Sequence, residues 1–400
     1  MSGPLSGTTV LELGALIAGP FAGQLLGDYG ADVIKVEPIG DGDPMRRWGV
    51  LHDGDGLWWP TIGRNKRSVC IDVRTARGQD LVRRLAAKVD IVTENFRPGR
   101  MAEWGLGYDA LAAVNPALIV AHVSGFGQTG PRAGDAGFGS IGEAMGGIRH
   151  TTGSPDRPPS RYGVSLGDAL TSLFTVIGVL AALNEVRLTG RGQEVDIAIY
   201  EAVAALMEST MADYEVGGVV RERAGSVLPG VAPSNVYSAA DGTEVVIAAN
   251  ADAVFARLCA VMDRPELATD ERYATHRARA DRQAELDLLI GEWAVRLDGD
   301  ALLERLNAGG VPAGRIFTAA DMVADPHYAA REMVLRLAAH QGWTVPMTGV
   351  VPKFSGTPGA VRTTGAPLGA HTAEVLTELA GVNAAELAEL EAAGVISLQQ

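Results

Sequence analysis

Strand-like and helix-like segments alternate through the first third of the chain. Thr9–Leu13 and Asp32–Glu37 read as strands, and Pro20–Tyr29 between them reads as a helix with a proline in its first turn. Strand-like runs follow at 68–73, 90–94 and 118–123, with an amphipathic helix at 75–88. This alternation predicts an α/β fold with a parallel sheet and helices on both of its faces.

Ligands in such sheets bind outside the carboxyl ends of the strands. The loops after Leu13, Val36, Glu94 and Val123 are therefore the predicted ligand site. The first of these loops invites a dinucleotide interpretation, but its glycines are spaced G-x4-G-x3-G, not G-x-G-x-x-G. We therefore expect no NAD, and an NAD-dependent dehydrogenase is disfavoured.

Composition limits the partners. A net charge of −14 argues against nucleic acid or an anionic membrane as the main partner, while leaving room for a local basic pocket. The two cysteines, Cys70 and Cys259, lie far apart in apolar segments and read as reduced core residues. Together with an N-terminus that lacks a secretory signal, they predict a cytoplasmic protein. The seven histidines show no metal-ligand spacing, so no metal is expected.

The pattern changes in the second half of the chain. Val195–Glu215 reads as a helix, and Arg221–Pro233 is irregular, as in a linker. Ser234–Asn250 reads as a hairpin turning at Asp241-Gly242, and Ala253–Leu306 is mostly helical. These segments predict a smaller α+β domain at about residues 229–317. Helices are predicted again near the end of the chain, at 371–380 and 384–393.

Asp168 is the only charged residue between Arg161 and Glu185, and it directly precedes the apolar run Ala169–Leu183. Aspartate is a preferred N-cap of helices, and the same position would orient a catalytic carboxylate. Position alone leaves both roles open. The apolar run falls short of the ~20 residues that span a bilayer, so it predicts a buried helix.

Two polar segments also have two interpretations each. The cationic run Arg64–Arg67 is either a solvated turn or a phosphate contact, to which Arg46, Arg47, Arg74, Arg97 and Arg100 could add. In Glu94–Gly99, Phe96 either stacks on a nucleotide base or packs inward.

In combination these segments resemble the class III CoA-transferase family (CaiB/BaiF type), which includes formyl-CoA and carnitine CoA-transferases. The resembling stretches run in order along nearly the whole chain: 10–37, 65–68, 94–99, 115–116, 124–131, 166–168, 189–193, 225–233 and 367–372. The resemblance implies a Rossmann-like large domain built from both ends of the chain, with the smaller domain inserted, and an interlocked homodimer. The implied boundaries are 1–190 and 346–400 for the large domain, 229–317 for the small domain, and linkers at 191–228 and 318–345.

The resemblance also implies a function. An acyl-CoA and a carboxylic acid would exchange CoA, with Asp168 as the catalytic nucleophile and with neither metal nor NAD. The residues that match the family's CoA contacts, together with two neighbouring additions, are Leu16, Ile17, Ala18, Ile71, Arg74, Asn95, Phe96, Arg97, Arg100 and Phe138. Backbone N–H groups near Ala169 or in Gly225–Gly230 are candidate oxyanion donors.

The chain departs from relatives of that family at several positions. Pro38 and Glu103 stand where formyl-CoA transferase has arginines, so CoA phosphates would be met by Arg46, Arg47 or Arg100. Phe138-Gly139 stands where α-methylacyl-CoA racemase has His-Asp, and phenylalanine cannot transfer a proton. The segment Phe138–Glu143 also lacks the family's usual Asp and Gln. A racemase-like enzyme and a CoA-thioester-binding protein without turnover are therefore the alternatives.

Overall fold

The computed structural model of the protein describes residues 3–398. The chain divides into two compact units. The large unit comprises Met1–Ile148, Tyr162–Ser209 and Pro326–Gln400, and the small unit comprises Arg149–Arg161 and Thr210–Asp325. Cys70 of the large unit and Cys259 of the small unit are buried free thiols, as predicted.

Strands occur in both units. In chain order they are β1 (Thr9–Glu12), β2 (Asp32–Glu37), β3 (Leu51–His52), β4 (Asp55–Gly56), β5 (Lys66–Ile71), β6 (Ile91–Glu94), β7 (Ile119–Ser124), β8 (Glu194–Ala198), β9 (Ser234–Ser238), β10 (Glu244–Ala248), β11 (Ala313–Arg315), β12 (Val334–Ala338), β13 (Thr344–Thr348) and β14 (Ile396–Ser397).

The helices also follow in chain order. They are α1 (Ala18–Asp28), α2 (Trp59–Ile62), α3 (Ala76–Ala86), α4 (Arg100–Glu103), α5 (Tyr108–Ala112), α6 (Gly139–Met145), α7 (Ile148–Thr151), α8 (Leu166–Thr189), α9 (Ile199–Ala204), α10 (Thr210–Glu215), α11 (Asp252–Val261), α12 (His276–Asp281), α13 (Gln283–Ala294), α14 (Gly299–Ala308), α15 (Ala319–Ala324), α16 (Pro326–Ala330), α17 (Thr372–Glu378) and α18 (Ala384–Ala392).

A seven-stranded sheet forms the centre of the large unit, in the order β14-β5-β2-β1-β6-β7-β8. The prediction of a parallel sheet is confirmed for β1, β2, β5, β6, β7 and β8. The edge strand β14 pairs with β5 in the antiparallel direction, so the sheet is mixed.

Neighbouring residues of the central strands enter two different cores. Val10, Val33, Ile91 and Ile119 pack on the face covered by α1 and α8. The residues that follow them pack on the opposite face with α3, α17 and α18, namely Leu11, Ile34, Val92 and Val120. Side chains alternate across a strand, so a strand buried on both faces must be apolar at successive positions. This explains the near-continuous apolar runs of the sequence.

The small unit contains a three-stranded antiparallel sheet in the order β11-β10-β9. β9 and β10 form the predicted hairpin, and Gly242 at its turn has a φ of 81°. Its own apolar core is built from β9, β10 and helices α11, α13 and α14.

The predicted linkers and one predicted helix need correction. The segment 191–228 contains β8, which completes the large sheet by pairing with β7. The helix predicted at Val195–Glu215 therefore begins as a strand, because Val195 and Ile197 alternate with polar residues and pack against the sheet core. The segment 318–345 is not a linker either, since it holds α15, α16, β12 and the start of β13.

Candidate active site

Two loops at the carboxyl edge of the sheet are joined by the side-chain amide of Asn95. Its Oδ1 accepts the Ala15 N–H at 2.8 Å, and its Nδ2 donates to the Ala15 carbonyl oxygen at 2.8 Å. Gly14 passes so close that a Cβ there would lie 2.7 Å from Asn95 Oδ1. The loop after β1 and the loop after β6, both predicted to bind CoA, thus meet, and Asn95 acts between them as a structural clasp.

Beneath the first of these loops lies a buried ionic network. The ammonium group of Lys35 lies 2.9 Å from Glu12 Oε1 and 2.8 Å from Asp43 Oδ2, and it donates to the Gly14 carbonyl at 2.8 Å. Lys66 completes the network at 2.8 Å from Glu12 Oε2. All four side chains are nearly or completely excluded from solvent.

The network fixes an unusual backbone conformation. Leu16 has a φ of 68°, a left-handed value that side chains other than glycine rarely adopt. Its N–H donates to Asp43 Oδ1 at 3.2 Å. Burial alone would raise the pKa values of Glu12 and Asp43, but the neighbouring lysine charges outweigh burial and hold both pKa values below their ordinary range. Both carboxyl groups are therefore ionised at neutral pH.

The cationic run Arg64–Arg67 has a structural role. Arg64 is 2% exposed and bonds to both carboxylate oxygens of Asp28. Lys66 belongs to the buried network, and Arg67 pairs with Asp32 at 2.5 Å. Because these charges are neutralised within the fold, the phosphate interpretation of the run is not supported.

Arg46 is also committed to the fold. Its guanidinium bonds to Glu37 twice, at 2.8 and 2.7 Å, and lies 3.7 Å from the centre of the Trp59 ring. It is therefore not placed to meet a CoA phosphate. Arg47 is half exposed and pairs with Asp41.

Three of the arginines predicted near CoA are on the surface. Arg74 is 80% exposed and bonds to Asp72, and Arg100 pairs with Glu103 at 2.6 Å. Arg97 is exposed and lines a cleft of about 400 Å³. Unlike Arg46 and Arg64, these three arginines are accessible to an anionic ligand.

Two other predicted contacts turn inward. The side chain of Ile71 is 1% exposed and belongs to the sheet core, so only its backbone could meet a ligand. Phe96 packs against that same core, and its ring meets Trp104 edge-to-face with 5.1 Å between ring centres. The inward alternative for Phe96 is thus the observed one.

The helix that carries Asp168 is longer than the sequence predicted. α8 begins at Leu166 and spans 24 residues, so Asp168 is its third residue and Ser165 occupies the N-cap position. The N-cap interpretation of Asp168 is therefore wrong, because the helix starts three residues before Ala169. The Ala169 N–H donates to the Ser165 carbonyl at 3.0 Å within the helix, so it is not an oxyanion donor. In the small unit, the Gly225 N–H likewise donates to the Gly153 carbonyl.

By length and composition α8 is also able to cross a membrane, and 44% of its most apolar window is buried within the protein. One such helix is weak evidence, since core helices of soluble proteins pass the same test. The predicted reason for excluding a membrane span, a short apolar run, no longer holds.

α8 docks directly on the first predicted CoA loop. Ser172, one turn after Asp168, donates its hydroxyl to the Ala18 carbonyl oxygen at 2.6 Å. Ile17 is the N-cap residue of α1, and Leu16, Ile17 and Phe21 pack on a small cluster formed by Met45, Trp59 and Ile62. The structure thus places the second turn of α8 against Ala18, the first residue of α1.

Asp168 itself lies against a glycine. Its side chain is half-buried, and a Cβ at Gly139 would lie 2.8 Å from Asp168 Cγ and overlap the carboxylate. Phe138, the preceding residue, is the N-cap of α6 and is 67% exposed. The residue pair that departs from the racemase pattern therefore lies directly beside the candidate nucleophile.

The sequence reasoning missed Glu143 and the Lys35 network. Glu143 is completely buried, and its Oε1 accepts the Gly167 N–H at 3.2 Å. Its sequence signal is a face of small residues, Gly139, Gly142 and Gly146, at helical spacing around a glutamate. Among residues 3–398, no group of three His, Cys, Asp or Glu side chains is arranged to hold a metal ion.

These observations define an α/β protein with a half-buried candidate carboxylate in the first turn of α8, a helix that is bonded to Ala18 just after the loop that follows β1. A model of CoA-transferase family III matches residues 5–372. The chain belongs to that family, so the resemblance found in the sequence is confirmed. It is accordingly a class III CoA-transferase, an enzyme that moves CoA between an acyl-CoA and a carboxylic acid.

Relatives of known name support this assignment. The chain is 55% identical to a succinyl-CoA–D-citramalate CoA-transferase of Chloroflexus aurantiacus, over 98% of both chains. It is 41% identical to the alpha subunit of a succinyl-CoA–L-malate CoA-transferase of Chloroflexus aurantiacus, over 98% of this chain and 92% of the relative. The crystal structure of a CaiB/BaiF family protein from Brucella suis matches with a TM-score of 0.83 and 39% identity, covering 95% of this chain and all (100%) of the other.

Proposed function

We propose that CoA transfer runs through covalent intermediates on Asp168. A carboxylate oxygen of Asp168 attacks the thioester carbonyl carbon of the donor, the C–S bond breaks, and a mixed anhydride and CoA thiolate form. The thiolate then attacks the aspartyl carbonyl carbon and releases the donor acid, leaving an aspartyl-CoA thioester. An acceptor carboxylate reverses both steps and leaves as its CoA thioester, so Asp168 is restored with no net proton or redox change.

The observation that carries this proposal is the placement of Asp168. The carboxylate stands in the first turn of α8, which Ser172 fastens to Ala18 in the predicted CoA loop. Because each step exchanges one activated acyl group for another, a carboxylate nucleophile needs neither ATP nor a metal. The exposed phenylalanine at position 138 offers no second proton-transfer group, which counts against a racemase.

Hydroxylamine trapping tests the proposal. Incubation with an acyl-CoA should leave a hydroxamate on the peptide that contains Asp168, and Asp168→Asn should abolish both the adduct and transfer. Asp53→Asn, at an aspartate of the same unit that is 80% exposed, is the matched control and should retain both. Transfer by the Asp168→Asn variant, or failure to trap any adduct in an enzyme that transfers CoA, would refute the nucleophile. Uptake of deuterium at the α-carbon of a 2-methylacyl-CoA would instead indicate a racemase.

For the substrates, we propose a short dicarboxylyl-CoA donor such as succinyl-CoA and a hydroxydicarboxylate acceptor. The proposal rests on the two relatives above, whose names pair succinyl-CoA with citramalate and with malate. A panel that compares succinyl-CoA with monocarboxylyl-CoA donors, and malate or citramalate with their monocarboxylate analogues, gives the ranking by kcat/KM. Higher kcat/KM for the monocarboxylic substrates would contradict it.

For CoA binding, we propose that Arg97 meets the anionic part of the cofactor. Arg97→Ala should raise KM for acyl-CoA about tenfold, in keeping with ~1.5–3 kcal/mol for a charged hydrogen bond, and it should reduce the salt dependence of KM. Arg84→Ala removes an arginine that is 41% exposed in the same unit and pairs with Asp80. An equal change of KM in both variants would argue against a contact at Arg97.

We also propose that the chain forms a homodimer, which the family resemblance implied, and that the two copies associate through α8. Leu173, Ile177, Leu180 and Leu188 are 46%, 60%, 38% and 74% exposed and recur at helical spacing along one face of α8. An exposed apolar stripe of this length is typical of an interface. Light scattering should give the mass of a dimer, and Ile177→Asp should shift it towards the monomer; a monomeric wild-type protein would overturn the proposal.

A further inference from the structure

Glu143 is a carboxyl group with no exposed surface, on a helix next to the one that carries Asp168. Its Oε1 accepts the N–H of Gly167, the residue directly before Asp168, at 3.2 Å. Glutamate is almost never fully buried unless it is paired or hydrogen-bonded. A carboxyl group so buried needs hydrogen-bond donors, and the Gly167 N–H beside Asp168 is one of them.

The first turn of α8 needs an acceptor that its own N-cap does not supply. The first backbone N–H groups of any helix lack intrahelical partners, and serine at the N-cap usually accepts one of them. Ser165 occupies the N-cap of α8, but its side chain makes no capping hydrogen bond. Glu143 therefore takes over this task from the neighbouring helix, at the second helical N–H.

Glycines allow Glu143 to come this close. A Cβ at Gly139 would overlap the Asp168 carboxylate, and a Cβ at Gly142 would lie 2.8 Å from Ile199 Cβ. At Gly167, a Cβ would be 3.1 Å from Glu143 Cγ. One face of α6 thus packs against both α8 and α9 through its backbone rather than through side chains. This close packing leaves α6 and α8 little freedom to move relative to each other.

We infer that Glu143 is a positioning residue for Asp168. By bonding to the Gly167 N–H it fixes the first turn of α8 against α6, and it thereby holds the Asp168 carboxylate in the space that Gly139 leaves open. The inference rests on the proposed role of Asp168 as nucleophile. Glu143 acts through the Gly167 backbone, and its role is to set where the Asp168 carboxylate lies.

Removing the acceptor tests the inference. Glu143→Met keeps a similar volume without an acceptor, whereas Glu143→Gln keeps an oxygen that can accept the Gly167 N–H. Glu143→Met should lower kcat by about tenfold to a hundredfold, the scale expected for a displacement of about 1 Å in a catalytic group. KM for acyl-CoA should hardly change, and Glu143→Gln should recover most of kcat. Glu201→Met, at an exposed glutamate on α9, is the matched control and should behave like the wild type.

The yield of hydroxylamine-trapped Asp168, per molecule of folded enzyme, separates a positioning role from general destabilisation. Glu143→Met should trap more slowly at unchanged circular dichroism. If it proves insoluble, Gly139→Ala gives the answer instead, since its methyl group must displace the carboxylate and lower kcat. Wild-type kcat in Glu143→Met or Gly139→Ala, or equal losses in Glu143→Met and Glu143→Gln, would overturn the inference. If Asp168→Asn is inactive, those results overturn only the role of Glu143, and the proposed role of Asp168 as nucleophile stands. An active Asp168→Asn variant would instead refute the proposed function itself.

Discussion

Substituting Lys35 by methionine would remove the cation at the centre of the buried network. Its ammonium nitrogen lies within 3 Å of three oxygen atoms: Glu12 Oε1 at 2.9 Å, Asp43 Oδ2 at 2.8 Å and the Gly14 carbonyl at 2.8 Å. Methionine fills much of the same volume but leaves the Asp43 oxygen and the Gly14 carbonyl buried without this donor. Glu12 keeps its contact with Lys66 at 2.8 Å.

Breaking a buried ion pair by removing one partner costs ~3–5 kcal/mol. Because Glu12 keeps Lys66, we expect the Lys35→Met variant to lose about 3 kcal/mol of unfolding free energy, at the lower end of that range. The loss should shrink as the pH falls below about 4, the ordinary range of Asp and Glu pKa values. In that pH range the wild type protonates Glu12 and Asp43 and loses the stabilisation from their ion pairs with Lys35. The variant lacks these ion pairs at every pH, so its stability falls less.

Urea unfolding followed by tryptophan fluorescence measures this change in the large unit, which holds five of the six tryptophans: Trp48, Trp58, Trp59, Trp104 and Trp343. Lys353→Met makes the same substitution in the same unit. Lys353 lies 3.5 Å from Glu332, and the two side chains are 36% and 78% exposed, so we expect a loss of ~0–1 kcal/mol. A difference of less than about 1 kcal/mol between the two variants would show that the network does not stabilise the fold as argued.

The same variant has a functional consequence. With Gly14 released and Asp43 no longer paired with Lys35, the carboxylate that accepts the Leu16 N–H in the left-handed turn is held less firmly. We therefore expect KM for acyl-CoA to rise, about tenfold for each 1.4 kcal/mol by which the loop must be reordered on binding. Lower stability with unchanged KM would separate the network from the CoA loop.

Three further predictions follow from buried charges. Burial lowers the pKa of His122, but its two glutamate partners outweigh burial and hold the pKa above its ordinary value. His122 therefore stabilises the large unit fully below about pH 6.5, and this stabilisation is lost as the pH rises through the raised pKa. Urea titrations at rising pH should show that loss in the wild type and not in His122→Gln. Arg279→Met should lower the free energy of unfolding of the small unit by about 3 kcal/mol or more, because three backbone carbonyls lose a fully buried guanidinium donor. Hydrogen exchange should become faster in the small unit alone, and an equal increase throughout the protein would contradict the prediction. Since the pKa values of Glu12 and Asp43 are lowered, the wild type should lose stability only as the pH falls below about 4, and Asp43→Asn should reduce that acid dependence.

The sheet was the part most open to prediction from sequence. β2 occurs at the predicted residues 32–37, because a strand buried on both faces is mostly apolar, and here only Lys35 interrupts the apolar positions between Asp32 and Glu37. β8 was missed although Val195 and Ile197 alternate with acidic residues, since α9 follows at once without a turn to separate them. β14 has only two residues and gains its partner from the other end of the chain.

The candidate site was predictable in its loops but not in its supporting charges. The Arg64–Arg67 run could not be assigned because its partners lie elsewhere along the chain, among them Asp28 and Glu374. Glu143 looks like a solvated helical glutamate in the sequence, and only the close approach of its glycine-rich face shows that it is buried. Long-range ion pairing and backbone approach leave weak local signals, whereas strand burial leaves strong ones.

The start of α8 changes what Asp168 is able to do. An N-cap aspartate would accept backbone N–H groups of the first turn with its own carboxylate oxygens. The structure instead places Asp168 at the third helical position and gives the Gly167 N–H to Glu143. Capping and the proposed attack are thus divided between two carboxyl groups on two helices. This arrangement explains why a buried glutamate lies beside the candidate nucleophile. The close approach of the Asp168 carboxylate explains why residue 139 is a glycine.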